Sequence, residues 1–215
     1  MDFGYGSKVA QVTELVDRWA VGWAISRGTT GEQFGRGWRV EVAAETRSLE
    51  YVVALPSPEE VGQFVAQAAG RPDVWLTIVG DIDDDARAAL SALEPLTHAE
   101  KMMTVAIARV ELPDEILLEE DGAVARVRIE REGETAARGQ AALYGSDVVF
   151  DRIGAVPRFR RRGLGSLIMA GLTSWAADRH AMTGLLMAST DGQHLYRSLG
   201  WTEVSPIVTF RGRTS

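Results

Sequence analysis

At 215 residues with 46% hydrophobic side chains, the chain can bury a sizeable core and fits one large or two small domains. A net charge of -7 opposes general nucleic-acid binding, and the absence of cysteine excludes disulfides, a thiol nucleophile and thiolate-bound metal. No apolar run approaches the roughly 20 residues of a membrane span, and the opening MDFGYGSKVAQ lacks the basic-then-apolar pattern of a secretory signal, so the expectation is a cytoplasmic protein without a membrane partner.

In chain order, Val12, Leu15, Val16, Trp19 and Trp23 recur at helical spacing and predict a core-facing helix ending near Gly28. A Gly- and Thr-rich loop over 28–37 leads to strands over 38–43 and 49–55. Ser57, Pro58 and Glu60 spell a capped helix start, with Val61, Phe64, Val65 and Ala68 on its buried face. A strand over 74–79, a helix over 83–93 and a strand over 102–110 complete the first half. Pro113 and the charge run in 111–120 mark the joint between residues 1–110 and 111–215. Strands over 124–130, 135–143 and 147–156 follow, then a helix from Leu164 to about His180, a strand over 184–188 and a helix over 191–199 stopped by Gly200. The element order of 49–110 repeats in 147–212, so an internal duplication is expected to give both halves the same strand order.

Residues 160–166 read Arg-Arg-Arg-Gly-Leu-Gly-Ser between a strand and a helix. Two glycines let the backbone turn tightly, and the first helical turn presents N–H groups to an anion. Arg158, Arg160, Arg161 and Arg162 add positive charge, favouring phosphate; a solvated basic turn is the bland alternative. No lysine follows either glycine, which rejects a Walker A loop, and Ile168 stands where a dinucleotide fingerprint needs its third glycine. The pattern met by Arg160, Gly163 and Gly165 is Arg/Gln-x-x-Gly-x-Gly/Ala after a strand. With these flanks, and with Leu195-Tyr196-x-x-Leu199-Gly200-Trp201 near the end, the last 70 or so residues resemble the GNAT superfamily of acyl-CoA-dependent N-acetyltransferases.

The resemblance implies an α/β (α+β) GNAT fold with a mixed, splayed central sheet flanked by helices, plus an N-terminal GNAT-like half lacking the CoA loop, since Pro56-Ser57-Pro58 stands at the equivalent junction. It implies acetyl-CoA as cosubstrate. Amides from Arg161 through Arg162, Gly163, Leu164 and Gly165 to Ser166 would hold its pyrophosphate, and backbone groups of Ile153, Ala155 and Val156 its pantetheine. Ser189 stands where the family often has Asn, implying a weaker pantetheine contact. Tyr196 matches the tyrosine near the thioester sulfur, as hydrogen-bond donor or acid, with plain aromatic packing as its alternative. Asp151, at a position often acidic in the family, is the candidate general base or amine anchor; a strand-face salt bridge to Arg152 or Arg138 is the other reading. The two helices that cover a GNAT acceptor site have no room in the second half, so the first half is expected to supply that wall.

The expected reaction is acetyl transfer to a primary amine on a small molecule or protein by direct attack. Three histidines, His98, His180 and His194, show no ligand spacing, so no metal is expected, and His194 reads as solvent-facing. A homodimer is left open. The rival functions are a CoA-binding regulator without turnover and, opposed by Ile168, a nucleotide-binding oxidoreductase.

Overall fold

The computed structural model describes residues 3–112 and 114–214; Pro113, read as part of the joint, lies outside them. The first half runs α1 (Phe3–Ser26), β1 (Gly31–Phe34), β2 (Gly37–Ala44), β3 (Arg47–Ala54), α2 (Pro58–Ala68), β4 (Val74–Val79), α3 (Asp84–Leu90) and β5 (Leu93–Ala106). The second runs β6 (Leu117–Asp121), β7 (Val124–Arg131), β8 (Glu134–Tyr144), β9 (Asp147–Ala155), α4 (Leu164–Asp178), β10 (Thr183–Ala188), α5 (Thr190–Ser198) and β11 (Thr202–Gly212).

All eleven strands join one mixed sheet in the order β1-β2-β3-β4-β11-β5-β10-β9-β8-β7-β6. Each half contributes an antiparallel meander, a helical crossover to a parallel strand (β3 to β4, β9 to β10) and a last antiparallel strand. Those last strands trade places: β11 pairs with β4, and β5 pairs with β10. The division at 110/111 therefore divides the chain and not the sheet. From β3 to β5 and from β9 to β11 the element order is the same, whereas the first half opens with α1 and three strands and the second with four strands and no helix.

Strand period explains the layers. On β3, Val52 and Ala54 face α1 while Tyr51 and Val53 face α2; on β10, Leu185 faces α1 and Leu186 faces α4. The apolar stripe of α1 is buried as expected and touches β2 and β3 at one end of the sheet and β8 and β9 at the other. One helix thus ties both halves together, each fully buried large side chain contributing about 1.5–3 kcal/mol. The capping box at Ser57 and Glu60 forms as expected.

Three strands depart from the sequence expectation. β1 lies in the span read as loop, β6 lies in the joint, and β5 begins at Leu93, nine residues before the expected start at Met102. Pro95 breaks the local strand pattern of β5, yet β10 covers only residues 101–106. The segment before that has one open edge, where proline is tolerated, and pairing with β11 makes it a strand.

β9 and β10 pair only through Asp147–Val149 against Thr183–Leu185 and then part, opening the sheet. Beyond the split, β9 carries a bulge: the pairs Gln140↔Asp151 and Arg138↔Gly154 leave two residues facing Gly139, and Arg152 takes φ +55°. A Cβ on Gly139 would sit 2.5 Å from Ile153 Cδ1 and 2.6 Å from Ile168 Cγ2. Gly139→Ala is therefore expected to lower stability by about 1–3 kcal/mol through overpacking, read as a lower urea midpoint at unchanged m-value.

Candidate active site

The split in the sheet, the loop after β9 and the first turns of α4 and α5 enclose a cleft of about 700 Å³. Pro157–Phe159 forms a 3₁₀ turn closed by Phe159 N donating to Val156 O (2.9 Å) and Arg160 N to Pro157 O (3.2 Å). Arg161 (φ +63°) and Gly163 (φ +76°) are both left-handed, which curls the chain into a concave arc. Amides of Arg161, Arg162, Gly163, Leu164 and Gly165 donate to no backbone carbonyl among the described residues. Five N–H groups at a helix N-terminus suit a pyrophosphate. Ser166 differs from expectation: its amide donates to Gly163 O at 3.0 Å, closing the helical turn, although Ser166 still lines the cleft.

The arginines divide their roles. Arg160 and Arg161 line the cleft, Arg160 Nε also donating to Ala155 O at 3.3 Å. Arg162 lies 5.5 Å over the buried ring of Phe159 and its side chain does not line the cleft. Gly165 lets α4 approach α5, since a Cβ there would meet Leu195 Cδ2 at 2.8 Å.

On β9, the bond from Val156 N to Ala136 O (2.9 Å) and the pair Arg138↔Gly154 turn the amides of Ile153 and Ala155 away from β8, toward the split. Val156 does not join them, because its N–H and its carbonyl are both engaged within the protein. Ser189 caps α5 by accepting from Gly192 N (3.3 Å) and borders the cleft. His194 is exposed at the rim.

Asp151 is committed elsewhere. Its Oδ2 accepts from Arg27 Nε (2.5 Å), Ser26 Oγ (3.1 Å) and Gln140 Nε2 (3.1 Å), and its Oδ1 from Arg27 Nη2 (2.9 Å) and the Arg152 amide (2.9 Å). Both partners of the ion pair are 12% exposed. A carboxylate with its lone pairs so occupied and an arginine in bidentate contact has no site left for a substrate proton. The salt-bridge reading holds in kind, but the partner is Arg27 at the end of α1, not Arg152 or Arg138. A second tie, Arg18 Nε to Asp147 Oδ2 at 2.7 Å, fixes the same helix to the start of β9.

Beyond Tyr196 the cleft meets a second cavity of about 290 Å³, with Ile153, Ser189 and Tyr196 bordering both. Its far wall comes from the first half: Trp19 and Trp23, stacked at 5.0 Å, Trp75, Glu50 and Glu100. Glu50 is held by Arg47 (2.7 Å) and the Thr77 hydroxyl (2.7 Å). Glu100 has only the Thr97 hydroxyl, at 2.9 Å, and no arginine or lysine in ion-pair contact among the described residues. Burial raises its carboxyl above the usual range, reinforced by the nearby charge of Glu50 and opposed by Thr97 and Arg47. Of three carboxylates at this cavity, Glu100 alone lacks a cationic partner. Gln193 Nε2 donates to Ala99 O (2.5 Å), fastening the helix of Tyr196 to the strand of Glu100.

Burial pushes the Tyr196 phenol up to about 12, with the charge of Asp151 adding to it. The phenol therefore stays protonated and can donate a hydrogen bond. Against a thiol near 8.5, full proton transfer would be uphill by roughly 5 kcal/mol. Its ring also packs near Trp201, at 5.9 Å, so the aromatic-packing role is met as well.

Sequence reasoning missed Glu100 and Arg27, and it assigned Trp19 and Trp23 to the core alone. The alternation of Glu100 with Met102 was a signal for Glu100, masked by Pro95 and the unrecognised start of β5.

The Acetyltransferase (GNAT) family profile matches residues 86–201, more than half of the chain. Among solved structures, a GCN5-related N-acetyltransferase from Kribbella flavida superposes with TM-score 0.64 at 16% identity, over 95% of this chain and 96% of that one. A GNAT-family protein from Novosphingobium aromaticivorans gives 0.65 at 13%, over 94% and 97%. Another GCN5-related N-acetyltransferase, from Sphaerobacter thermophilus, gives 0.55 at 12%, over 81% and 76%. No curated protein matches the chain in sequence.

Proposed function

Since the chain belongs to the GNAT acetyltransferase family, we propose that it transfers an acetyl group from acetyl-CoA to a primary amine held in the Trp-lined cavity, with Glu100 as proton acceptor. The observation that carries this is the meeting of the two cavities at Tyr196, one ending in the amide arc and the other in an unpaired carboxylate.

Acetyl-CoA supplies an acyl group activated as a thioester. The arc from Arg161 to Gly165 holds the pyrophosphate, and Ile153 and Ala155 align the pantetheine along the open edge of β9. Glu100 takes one proton from the bound ammonium, and the freed lone pair attacks the carbonyl carbon. Collapse of the tetrahedral adduct breaks the C–S bond, the second nitrogen proton passing to the departing thiolate to leave the amide and free CoA. The Ala155 amide polarises the carbonyl oxygen, a type of contact whose loss costs about 100- to 1000-fold. Tyr196 donates a hydrogen bond to the departing sulfur. No cysteine is present to form an acyl-enzyme, and direct attack needs none.

Two measurements test the proposal. Calorimetric titration with CoA should show binding that Gly165→Phe removes, and a panel of primary amines with acetyl-CoA should release thiol. Binding without thiol release for every amine would favour the regulator instead. Tyr196→Phe is expected to lower kcat by about 10- to 100-fold, the value of one hydrogen bond to a charged group, with CoA affinity retained. Because the phenol lies at about 12, wild-type kcat should show no alkaline limb from Tyr196 up to about pH 10.

A further inference from the structure

Past the C-terminal end of α1, on the face of β7, β8 and β9 that carries Gln140, lies a third cavity of about 380 Å³. Arg126, Arg128, Arg138 and Arg152 line it with one acid, Glu119. Glu119 is bound to Arg128, which also reaches Glu130 at 3.3 Å. Arg126 has a carboxylate only at 4.0 Å, from Asp121. Arg138 and Arg152 form no ion pair among the described residues, while the one other acid nearby, Asp151, is held by Arg27. On a protein of net charge -7, Arg138 and Arg152 thus converge without an ion-pair partner among the described residues, beside Arg126, whose contact with Asp121 is long.

The bulge puts Arg152 there. Its left-handed backbone falls between Asp151 and Ile153, so Arg152 borders this cavity and the acceptor cavity together. Burial lowers its pKa, and the positive charges of Arg27, Arg138 and Arg126 lower it further, with only Asp151 opposing. A left-handed non-glycine residue held against like charges is a costly arrangement, and such sites concentrate where a ligand is bound.

Resting on the acetyl-transfer reading above, we propose that Arg126, Arg138 and Arg152 form an oxyanion site that takes the acidic group of the acceptor, so the substrate is a primary amine that also carries a carboxylate or phosphate. Guanidinium forks match either group in planar, bidentate contact. The Trp-lined cavity then receives the amine end, and Arg152, at the junction, receives the acidic end.

The test pairs ω-amino carboxylates and an amino-alkyl phosphate with their neutral amide or alcohol counterparts, each assayed with acetyl-CoA by thiol release. The acidic member should be favoured by about 10- to 100-fold in kcat/KM, mainly through KM. Arg138→Gln and Arg126→Gln, both at exposed strand positions, should shrink that preference about tenfold while CoA titration confirms a folded cofactor cleft. With the cofactor cleft saturated by CoA, inorganic phosphate should bind the protein in calorimetry and lose that heat in the double variant. Equal rates for acidic and neutral amines would overturn the assignment, even if phosphate binds, because the anion would then be no part of the acceptor. Absence of thiol release from every amine, with phosphate heat present and abolished by the double variant, would refute the enzymatic reading and leave the oxyanion site standing.

Discussion

Glu100→Gln is expected to reduce kcat/KM at pH 7 by about 100- to 10,000-fold, the range for loss of a positioned general base. Glutamine keeps the size of the side chain and can accept from Thr97 but cannot take the proton. The direction of the pH dependence follows from the raised carboxyl. Glu100 must be ionised to act, so the wild-type rate should fall as pH drops through a midpoint above the ordinary glutamate value, because burial disfavours the charged form. In the variant this acid limb should vanish. An acid limb that persists unchanged in Glu100→Gln would assign the proton to another group. Asp151→Asn gives the complementary control: with the carboxylate fully occupied by Arg27, Ser26, Gln140 and the Arg152 amide, any loss of rate should accompany loss of stability and leave the pH midpoint in place.

Arg27→Met is expected to destabilise the protein by about 3–5 kcal/mol, the range for breaking one partner of a buried ion pair and leaving the other charge uncompensated. Both side chains are 12% exposed, and Arg27 also lies 5.4 Å over the Trp23 ring, so packing is lost too. The measurement is chemical unfolding of the single and double variants. Arg27→Met with Asp151→Asn should recover a substantial part of the loss, because the stranded carboxylate is gone. If the double variant is as unstable as the sum of the two singles, the pair contributes nothing as a pair. Acetyl transfer should fall with Arg27→Met as well, since α1 contributes Trp19 and Trp23 to the cavity proposed for the acceptor.

What the sequence revealed follows the range of the forces involved. The amide arc was legible because its chemistry is local: left-handed turning, a helix start and two glycines lie within six residues. The helices and most strands were legible from period. Tyr196 was singled out by the resemblance of Leu195-Tyr196-x-x-Leu199-Gly200-Trp201 to the family's closing segment, and not by period. Glu100 was not, because its part of β5 is paired only with β11, more than a hundred residues later. Nor was the role of Asp151, whose partner is 124 positions away in sequence. Val156 and Ser166 looked equivalent to their neighbours in the motif, and hydrogen bonds to Ala136 and Gly163 separate them only in three dimensions.

The traded positions of β5 and β11 bear on how the protein comes into being. On a ribosome, the first half emerges with one edge of β4 bare, and the strand that pairs there, β11, is made more than a hundred residues later. Neither lobe can close its hydrogen-bond ladder before the other, so assembly is a single late event with the high contact order that slows folding. By the same logic, the Trp-lined cavity and the cleft under the amide arc mature together, once β11 has paired with both β4 and β5.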